Sequence, residues 1–237
     1  MGRQHRRGAP VTLPTHARVD ERAQRRQALF NAATGWTLQL GDQNADLLLD
    51  YLDLLGRWNA TYNLTAIREP AQMLTQHVMD CLAVIAPLRR QVGCDRGKRV
   101  LDVGSGAGLP GVVIAALCPG WDMVCVDTVS KKAAFVRQAA MELKLPNLRG
   151  EHARVERLAD GRFDVVTSRA FASLADFVKL TRHQLAPGGI WMAMKGKRPE
   201  NELAALPSDV DVFHVEQLTI PGLDAERCLV WMKPVTP

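Results

Sequence analysis

Residues 100–111 read VLDVGSGAGLPG, a short apolar run that passes into three alternating glycines. The apolar run, extended to Arg99–Val103, predicts a buried β-strand, and residues 109–117 predict a helix. Glycines let the backbone turn sharply and allow a ligand to come close to the main chain. A strand that turns through glycines into a helix is typical of α/β proteins that bind ligands at the carboxyl edge of a parallel sheet.

The residues after this loop continue to alternate between strands and helices. Further strands are predicted at 123–127, 148–152, 163–168 and 190–195, and helices at 130–143 with Ser130 as N-cap, at 174–185 stopped by Pro187-Gly188-Gly189, and at 200–206. Two last strands, 210–220 and 228–233, have no helix between them and predict an antiparallel edge. The pattern indicates one doubly wound α/β domain with a mostly parallel seven-stranded sheet.

The first 90 residues lack this alternation. Residues 1–20 are rich in Arg, Pro and Thr without a hydrophobic period, which predicts a disordered basic tail. Apolar residues at helical spacing predict helices from Glu21 to Ala33, from Asp42 onward, and from Pro70 to a stop at Pro87. We therefore divide the chain into a tail (1–20), N-terminal helices that cap the core (21–90), and the α/β domain (91–237).

The net charge of +5 comes from the N-terminal end of the chain. Residues 1–26 hold seven arginines and two acidic residues, and the remaining charges balance. Such a segment suits RNA or another anionic surface, and it suits a solvated extension equally well. Both interpretations of the tail stay open.

The cysteines and the hydropathy pattern exclude several classes of protein. Five scattered cysteines, without a C-x-x-C pair or a zinc-like spacing to histidine, predict reduced thiols and no metal site. The basic N-terminus has no apolar stretch behind it, so we expect no signal peptide. No apolar run approaches the ~18 residues that span a bilayer. We expect a cytoplasmic protein.

Two carboxylates favour S-adenosylmethionine over a nicotinamide dinucleotide as the ligand of the loop. Asp102 precedes Gly104 by two residues, where a carboxylate suits the cationic amino-acid part of S-adenosylmethionine and would repel a pyrophosphate. Asp127 ends the next strand, about 20 residues after Gly106, where it can accept from ribose hydroxyls or cap the following helix. A dinucleotide also needs two mononucleotide halves, and only one is visible. We predict a class I, Rossmann-like methyltransferase.

The segment after the fourth predicted strand limits the chemical classes of methyl acceptor. Residues 168–171 read SRAF, without the Asp/Asn-Pro-Pro-Tyr segment of enzymes that methylate exocyclic amines. Cytosine carbon-5 enzymes need a thiolate after a proline, whereas the pair Cys118-Pro119 has the reverse order and lies on another element. Both classes are disfavoured.

Several short motifs, taken together, resemble one known family. They are Trp58-Asn59-x-x-Tyr62-Asn63-Leu64-Thr65, His77 and Asp80, the loop 104–111, the segment Ser168-Arg169-Ala170-Phe171-Ala172-Ser173, and Lys195-Gly196. This combination resembles the ribosomal small-subunit guanine-N7 methyltransferases, also called glucose-inhibited division protein B. The resemblance covers residues 40–233, and the segment before about residue 25 departs from the family pattern.

The resemblance implies a bacterial cytoplasmic enzyme that methylates nitrogen 7 of one guanine in 16S ribosomal RNA. Its partner would be 16S rRNA or a small-subunit particle, and we expect a monomer. The implied contacts to S-adenosylmethionine are Gly104, Leu109, Val155, Glu156 and Arg169. Guanine N7 has a free lone pair and the leaving thioether is neutral, so no general base or acid is required. Positioning is then the main task of the enzyme.

Five side chains are candidates for the substrate side of the site. We expect Phe171 to stack on the guanine, and Lys195 and Lys197 to hold RNA phosphate. Asn63, like His77, either lines the site or packs the N-terminal helices. Core packing for Phe171 and solvation for the lysines are the alternatives.

Three other functions remain open at this stage. The first is a methyltransferase that acts on a small molecule or a protein, which the balanced charge of the folded part permits. The second is a non-catalytic module that binds nucleic acid through its tail, and the third is a nicotinamide oxidoreductase.

Overall fold

A seven-stranded sheet forms the centre of the computed structural model, which describes residues 15–159 and 161–235. Its strands are β1 (Arg99–Val103), β2 (Asp122–Asp127), β3 (Leu148–His152), β4 (Phe163–Arg169), β5 (Leu185–Lys195), β6 (Val210–Leu218) and β7 (Arg227–Pro234). They lie in the order β3-β2-β1-β4-β5-β7-β6, and only the pairs of β7 with β5 and β6 are antiparallel. The predicted mostly parallel, seven-stranded sheet is confirmed.

Helices cover both faces of the sheet. The N-terminal ones are α1 (Thr15–Gly35), α2 (Asp42–Tyr62), α3 (Pro70–Met73), a π-helical segment (Leu74–Met79), α4 (Asp80–Leu82) and α5 (Ile85–Val92); the later ones are α6 (Gly111–Leu117), α7 (Ser130–Glu142), α8 (Leu174–Thr181) and α9 (Glu200–Ala204). Alternate strand residues face opposite sides. Val100 packs in the core with α2, α6 and α7, whereas Leu101 and Val103 pack in the core with α8.

Two sequence-based boundaries in the N-terminal part were wrong. α1 begins at Thr15, so residues 15–20 are helical although we predicted a disordered tail there; this stretch contains no proline or glycine. Residues 1–14 lie outside the described residues. Pro87 does not end a helix, because it lies in the first turn of α5, where a backbone N–H would have no helical partner.

Two further boundaries differ in the α/β part. Pro187-Gly188-Gly189 lies within β5, where the register against β4 shifts between Phe163 and Val165. The strand accommodates the proline and glycines at this irregularity, so these residues do not terminate a helix. The helix α8 ends earlier than predicted, at Thr181. Ser130 is the first residue of α7 and not its cap, since Val129 occupies that position.

Acidic residues of α2 neutralise three of the basic residues near the N-terminus. Arg22 lies 2.9 Å from Asp50 and 3.4 Å from Asp53, and Arg26 lies 2.7 Å from Asp42. Arg25 joins the same network through Asp53. These arginines hold α1 against α2, so the basic charge left for a partner is smaller than the sequence suggests.

The cap helices reach the glycine loop directly. The hydroxyl of the buried Tyr51 in α2 donates to the carbonyl of Ala107 at 2.8 Å. Trp58 packs edge-on against Phe135 of α7, with ring centroids 5.5 Å apart. The cap therefore supports the loop from behind. No helix in the described part of the chain is long and apolar enough to cross a membrane.

Candidate methyl-donor site and adjoining cavity

The glycine loop turns at the carboxyl end of β1 and leaves space beside its backbone. Gly104 and Gly106 have φ angles of 66° and 60°, and a Cβ added at either position would meet no atom within 4 Å. Gly108 differs, because a Cβ there would lie 2.8 Å from Val112. The first two glycines thus border open space, as a ligand that approaches the main chain requires, while the third permits close packing.

Asp127 ties this loop to the next helix. Its Oδ2 accepts from the Gly106 N–H at 2.9 Å, and its Oδ1 accepts from the Val129 N–H at 2.8 Å. Lys132 lies 3.8 Å from the same carboxylate. The sequence suggested two roles for Asp127, a ribose contact or a helix cap. In the structure Asp127 fixes the glycine loop through Gly106 and the start of the next helix through Val129. Each of its carboxylate oxygens can accept one more hydrogen bond.

Asp102 lies beneath the loop and is fully buried. Its Oδ2 accepts from the Gly111 N–H at 3.0 Å, and its Oδ1 has no hydrogen-bond partner among the described residues. Burial raises the pKa of Asp102 to about 7, and the Gly111 hydrogen bond and the charge of Arg169 oppose that rise. Asp102 therefore anchors the start of α6 and carries a carboxyl group poised between its two protonation states.

Replacing Asp102 by asparagine is expected to change how stability depends on pH. A folded-state pKa near 7, above the ordinary 3.8, means that the native protein keeps a proton which the unfolded chain releases. This stabilising contribution is complete below about pH 4 and is lost as the pH rises through about 7. The free energy of unfolding of Asp102→Asn, relative to wild type, should therefore increase from pH 4 to pH 7.

Urea unfolding of the ligand-free proteins over this pH range measures the difference. Exposed Asp224 is the matched control, since Asp224→Asn removes a carboxylate outside the core. An equal pH dependence for both variants, or none for Asp102→Asn, would contradict the prediction.

The turn after β3 lies against the turn after β2. The Ala153 N–H donates to the Asp127 carbonyl at 3.3 Å. Val155 and Glu156 follow in a short 3₁₀ turn, in which Val155 is buried and Glu156 is exposed. Leu109 is buried beside the glycine loop. Gly104, Leu109, Asp127 and the Val155-Glu156 pair thus all lie at the carboxyl edge of β1–β3.

A second polar cluster lies at the carboxyl end of β4. Arg169 ends this strand, and its Nη1 donates to the Gln76 carbonyl at 3.0 Å and lies 3.4 Å from Asp80 Oδ2. Arg227, at the start of β7, donates through Nε to Asp80 Oδ1 at 2.9 Å. Asp80 is buried, with 3% of its surface exposed. One buried carboxylate of the cap therefore holds two arginines of the sheet.

These three residues line a cavity of about 360 Å³, which we call the cap cavity. Its other lining residues are Ile67, Gln76, His77, Ala170, Met194, Lys195 and Gly196. The Ser168 hydroxyl donates to the Val103 carbonyl at 2.8 Å, which joins the end of β4 to the residue before Gly104. The cap cavity and the glycine loop consequently open at the same edge of the sheet.

His77 and Asn63 lie in different surroundings, although the sequence analysis gave both residues the same two possible roles. His77 is buried and lines the cap cavity, with its Nε2 2.9 Å from the Thr65 hydroxyl. Burial and the nearby Arg169 lower the pKa of His77 to about 4, so the ring is neutral at pH 7. Asn63 ends α2 in a left-handed conformation, and its side chain accepts from Arg68 at 2.6 Å. Asn63 is not among the cavity-lining residues.

The other substrate candidates are engaged within the protein. Phe171 is half-buried and packs on Phe177, with ring centroids 5.4 Å apart. Lys195 lines the cap cavity, but its ammonium donates to Glu202 at 2.7 Å and to the Phe171 carbonyl at 3.3 Å. Lys197 is exposed. Lys195 thus fastens the segment after β4, and of the two lysines only Lys197 presents a solvated charge.

A model of the GidB family, rRNA small subunit methyltransferase G, matches residues 44–230. The chain belongs to this family. Its relatives include the ribosomal RNA small subunit methyltransferase G of Leptothrix cholodnii, 62% identical over 209 residues that cover 88% of this chain and 95% of the relative. The protein of the same name from Methylibium petroleiphilum is 61% identical over 206 residues, 87% of this chain and 93% of the relative.

More distant solved structures share the fold of this GidB protein. A SAM dependent methyltransferase from Aquifex aeolicus aligns with a TM-score of 0.52 at 16% identity, over 69% of this chain and 93% of its own. The glycopeptide N-methyltransferase MtfA, complexed with S-adenosylmethionine, aligns with a TM-score of 0.53 at 15% identity, over 67% of this chain and 95% of its own. The predicted class I methyltransferase fold is confirmed.

Sequence reasoning missed Arg227 in this GidB chain and gave Asp80 no role. Asp80 stood only among the motif residues of the family resemblance, and Arg227 begins an edge strand that carries no motif. Their contact spans 147 positions of the chain. A buried carboxylate held by two arginines requires knowledge of the tertiary structure, although a lone aspartate within an apolar helical stretch was a signal that a partner exists.

Proposed function

We propose that this protein transfers a methyl group from S-adenosylmethionine to nitrogen 7 of one guanine in 16S ribosomal RNA. The observation that carries the proposal is the match to the GidB family over residues 44–230. The geometry supports it, because the glycine loop and the cap cavity open at one edge, joined by the Ser168–Val103 hydrogen bond. The names of the relatives indicate the substrate class, small-subunit rRNA.

The residues at the glycine loop fit S-adenosylmethionine. The open space beside Gly104 and Gly106 admits a ligand against the backbone. Beneath that backbone lies Asp102 Oδ1, which no described residue contacts by a hydrogen bond. In the proposed complex, Gly104, Gly106 and Leu109 form the cradle and Asp127 keeps it closed. Val155 and Glu156 lie at the adenine end, and Arg169 lies where the donor site meets the cap cavity.

For methyl transfer to N7, the protein has to position the donor and the acceptor and provide a suitable electrostatic environment. S-adenosylmethionine, when bound, supplies an electrophilic methyl group and leaves as a neutral thioether. Guanine N7 has an exposed lone pair, so no residue has to remove a proton. The carboxylate of Asp80 is engaged by two arginines, which is consistent with a reaction that needs no general base. Holding donor and acceptor in line contributes ~7–11 kcal/mol in favourable cases.

The proposed substrate also indicates the cellular location of the enzyme. Small-subunit rRNA lies in the bacterial cytoplasm, so we place the reaction there. We propose a monomer that uses no metal, with Phe171, Lys195 and Asn63 as substrate-side residues of secondary importance, given the contacts that engage them inside the protein. Sedimentation of the protein tests the monomer, and binding of S-adenosylmethionine measured with and without EDTA tests the independence of metal.

The experiment that tests the function is methyl transfer from labelled S-adenosylmethionine to small-subunit particles from cells that lack this gene. Nucleoside mass spectrometry should detect 7-methylguanosine in 16S rRNA. Particles from cells that keep the gene are the matched control, and we expect them to accept little label. Confirmed cofactor binding without label in any nucleoside would overturn the proposal and direct the search to small-molecule or protein acceptors.

A further inference from the structure

The cap cavity has the shape and lining of a pocket for a flat, partly polar ligand. Its volume of about 360 Å³ lies within the usual range for small-ligand sites. Ile67 and Met194 supply apolar surface, whereas His77, Arg169 and Arg227 supply polar edges. A nucleobase has this combination of apolar faces and hydrogen-bonding edges, and a bare phosphate does not use the apolar walls.

Arg227 is held in place and keeps one donor group free. Its Nε donates to the buried Asp80, and its Nη1 donates to the Glu226 carbonyl at 2.8 Å. Within the described part of the chain, its Nη2 has no hydrogen-bond partner. Because the other two nitrogens are fixed, the planar guanidinium presents this donor in one orientation, which a flexible lysine ammonium cannot do.

Two other features of the cavity point to a ligand. His77 is 95% buried, and its Nδ1 makes no hydrogen bond of good geometry among the described residues, so a polar group in the cavity could bind there. Ala170, which also lines the cavity, has a φ of 64°, a left-handed conformation that is strained for a non-glycine residue. Both features lie at the same edge as the glycine loop.

We propose that the cap cavity receives the acceptor guanine and that Arg227 Nη2 donates to its O6, so that the enzyme selects guanine by this oxygen. The inference rests on the proposed function and names the acceptor site for it. Arginine donation to guanine O6 is a frequent specific contact. Here a single donor at O6 leaves N7 free to react, whereas the bidentate contact to O6 and N7 would block it.

The test compares bases at the methylated position of 16S rRNA once that position is mapped. Small subunits are assembled with guanine, with 2-aminopurine, which keeps N7 but lacks O6, or with inosine, which keeps O6 and N7 but lacks the 2-amino group. For the wild-type enzyme, 2-aminopurine should lower kcat/KM by about tenfold to a hundredfold, the effect expected for a charged hydrogen bond. Inosine should lower kcat/KM much less.

Arg227→Lys identifies the residue responsible, because it keeps the positive charge beside Asp80 and removes Nη2. We expect its kcat/KM on guanine to fall by about the same factor, and the further loss on 2-aminopurine to disappear. Intrinsic differences in N7 reactivity cancel, since both enzymes meet the same pair of bases. Arg90→Ala, which removes an exposed arginine paired with Glu216, is the matched control and should discriminate as wild type does.

The possible results separate the two levels of the proposal. If Arg227→Lys loses the same factor on both bases, Arg227 binds another part of the RNA, such as a phosphate, and the O6 contact is wrong. If wild type methylates guanine and 2-aminopurine equally, the inference fails while the proposed function stands. If wild type methylates no rRNA guanine, the proposed function itself fails. Thermal unfolding and binding of S-adenosylmethionine, measured for each variant, show that the fold and the donor site are intact.

Discussion

Replacing Gly111 by alanine is expected to lower the free energy of unfolding by about 2–3 kcal/mol. The added Cβ would lie 2.2 Å from the Cys125 Sγ and 3.2 Å from Asp102 Oδ2. Cys125 is a fully packed residue of β2, so α6 must move away from the sheet. That movement also stretches the hydrogen bond from Gly111 to Asp102. Urea denaturation of both proteins measures the loss.

The same chemical change elsewhere gives the opposite sign. Gly56 lies inside α2 with no atom within 4 Å of an added Cβ, so Gly56→Ala should stabilise the protein by about 0.5–1 kcal/mol. Combining Gly111→Ala with Cys125→Ala should recover part of the lost stability, because the substitution removes the sulfur that the new Cβ meets. A Gly111→Ala protein as stable as wild type would contradict the close contact between α6 and β2.

Removal of the Asp127 carboxylate is expected to weaken binding of S-adenosylmethionine by about tenfold to a hundredfold, the equivalent of one hydrogen bond to a charged group. Asp127→Ala deletes the acceptor for the Gly106 and Val129 N–H groups, so the glycine loop loses the contact that keeps its shape. Asp127→Asn keeps only one acceptor oxygen and should fall between wild type and Asp127→Ala. Titration calorimetry with S-adenosylmethionine gives the three dissociation constants.

Asp122 is the matched control for this experiment. It begins the same strand at the opposite edge of the sheet, where it pairs with Arg99 and Arg149. Asp122→Asn should therefore leave the affinity for S-adenosylmethionine within about twofold of wild type, since a surface ion pair contributes little. Equal affinities for Asp127→Ala and wild type would show that the loop does not depend on this carboxylate.

The local part of the fold could be predicted from the sequence because its signals are local. The strand and glycines at residues 100–111 depend on backbone conformation and on neighbours a few residues away, and the structure has them at the predicted place. Pro87 and Pro187 were misread for the opposite reason. A proline is tolerated in a first helical turn or at an irregular point of a strand, and only the surrounding structure decides which of these applies.

In the candidate site, too, some features follow from the sequence and others depend on the tertiary structure. Gly104 follows β1, and Asp127 and Arg169 end β2 and β4, so the parallel topology places all three at one edge of the sheet. The engagement of Lys195 by Glu202 and of Asp80 by Arg227 depends on side-chain packing between distant elements. Sequence reasoning therefore predicted the position of the glycine loop, but it could not predict that Arg227 lies beside Asp80.

The Asp80 contacts have a consequence for engineering and for the evolution of the chain. One carboxylate from the N-terminal helices holds Arg169 at the end of β4 and Arg227 at the start of β7. The N-terminal helices are therefore no interchangeable module, and a chimaera that exchanges them must carry all three residues or leave a buried charge without its counterion. Inheritance of these helices and of the sheet is therefore coupled through Asp80 and its two arginines.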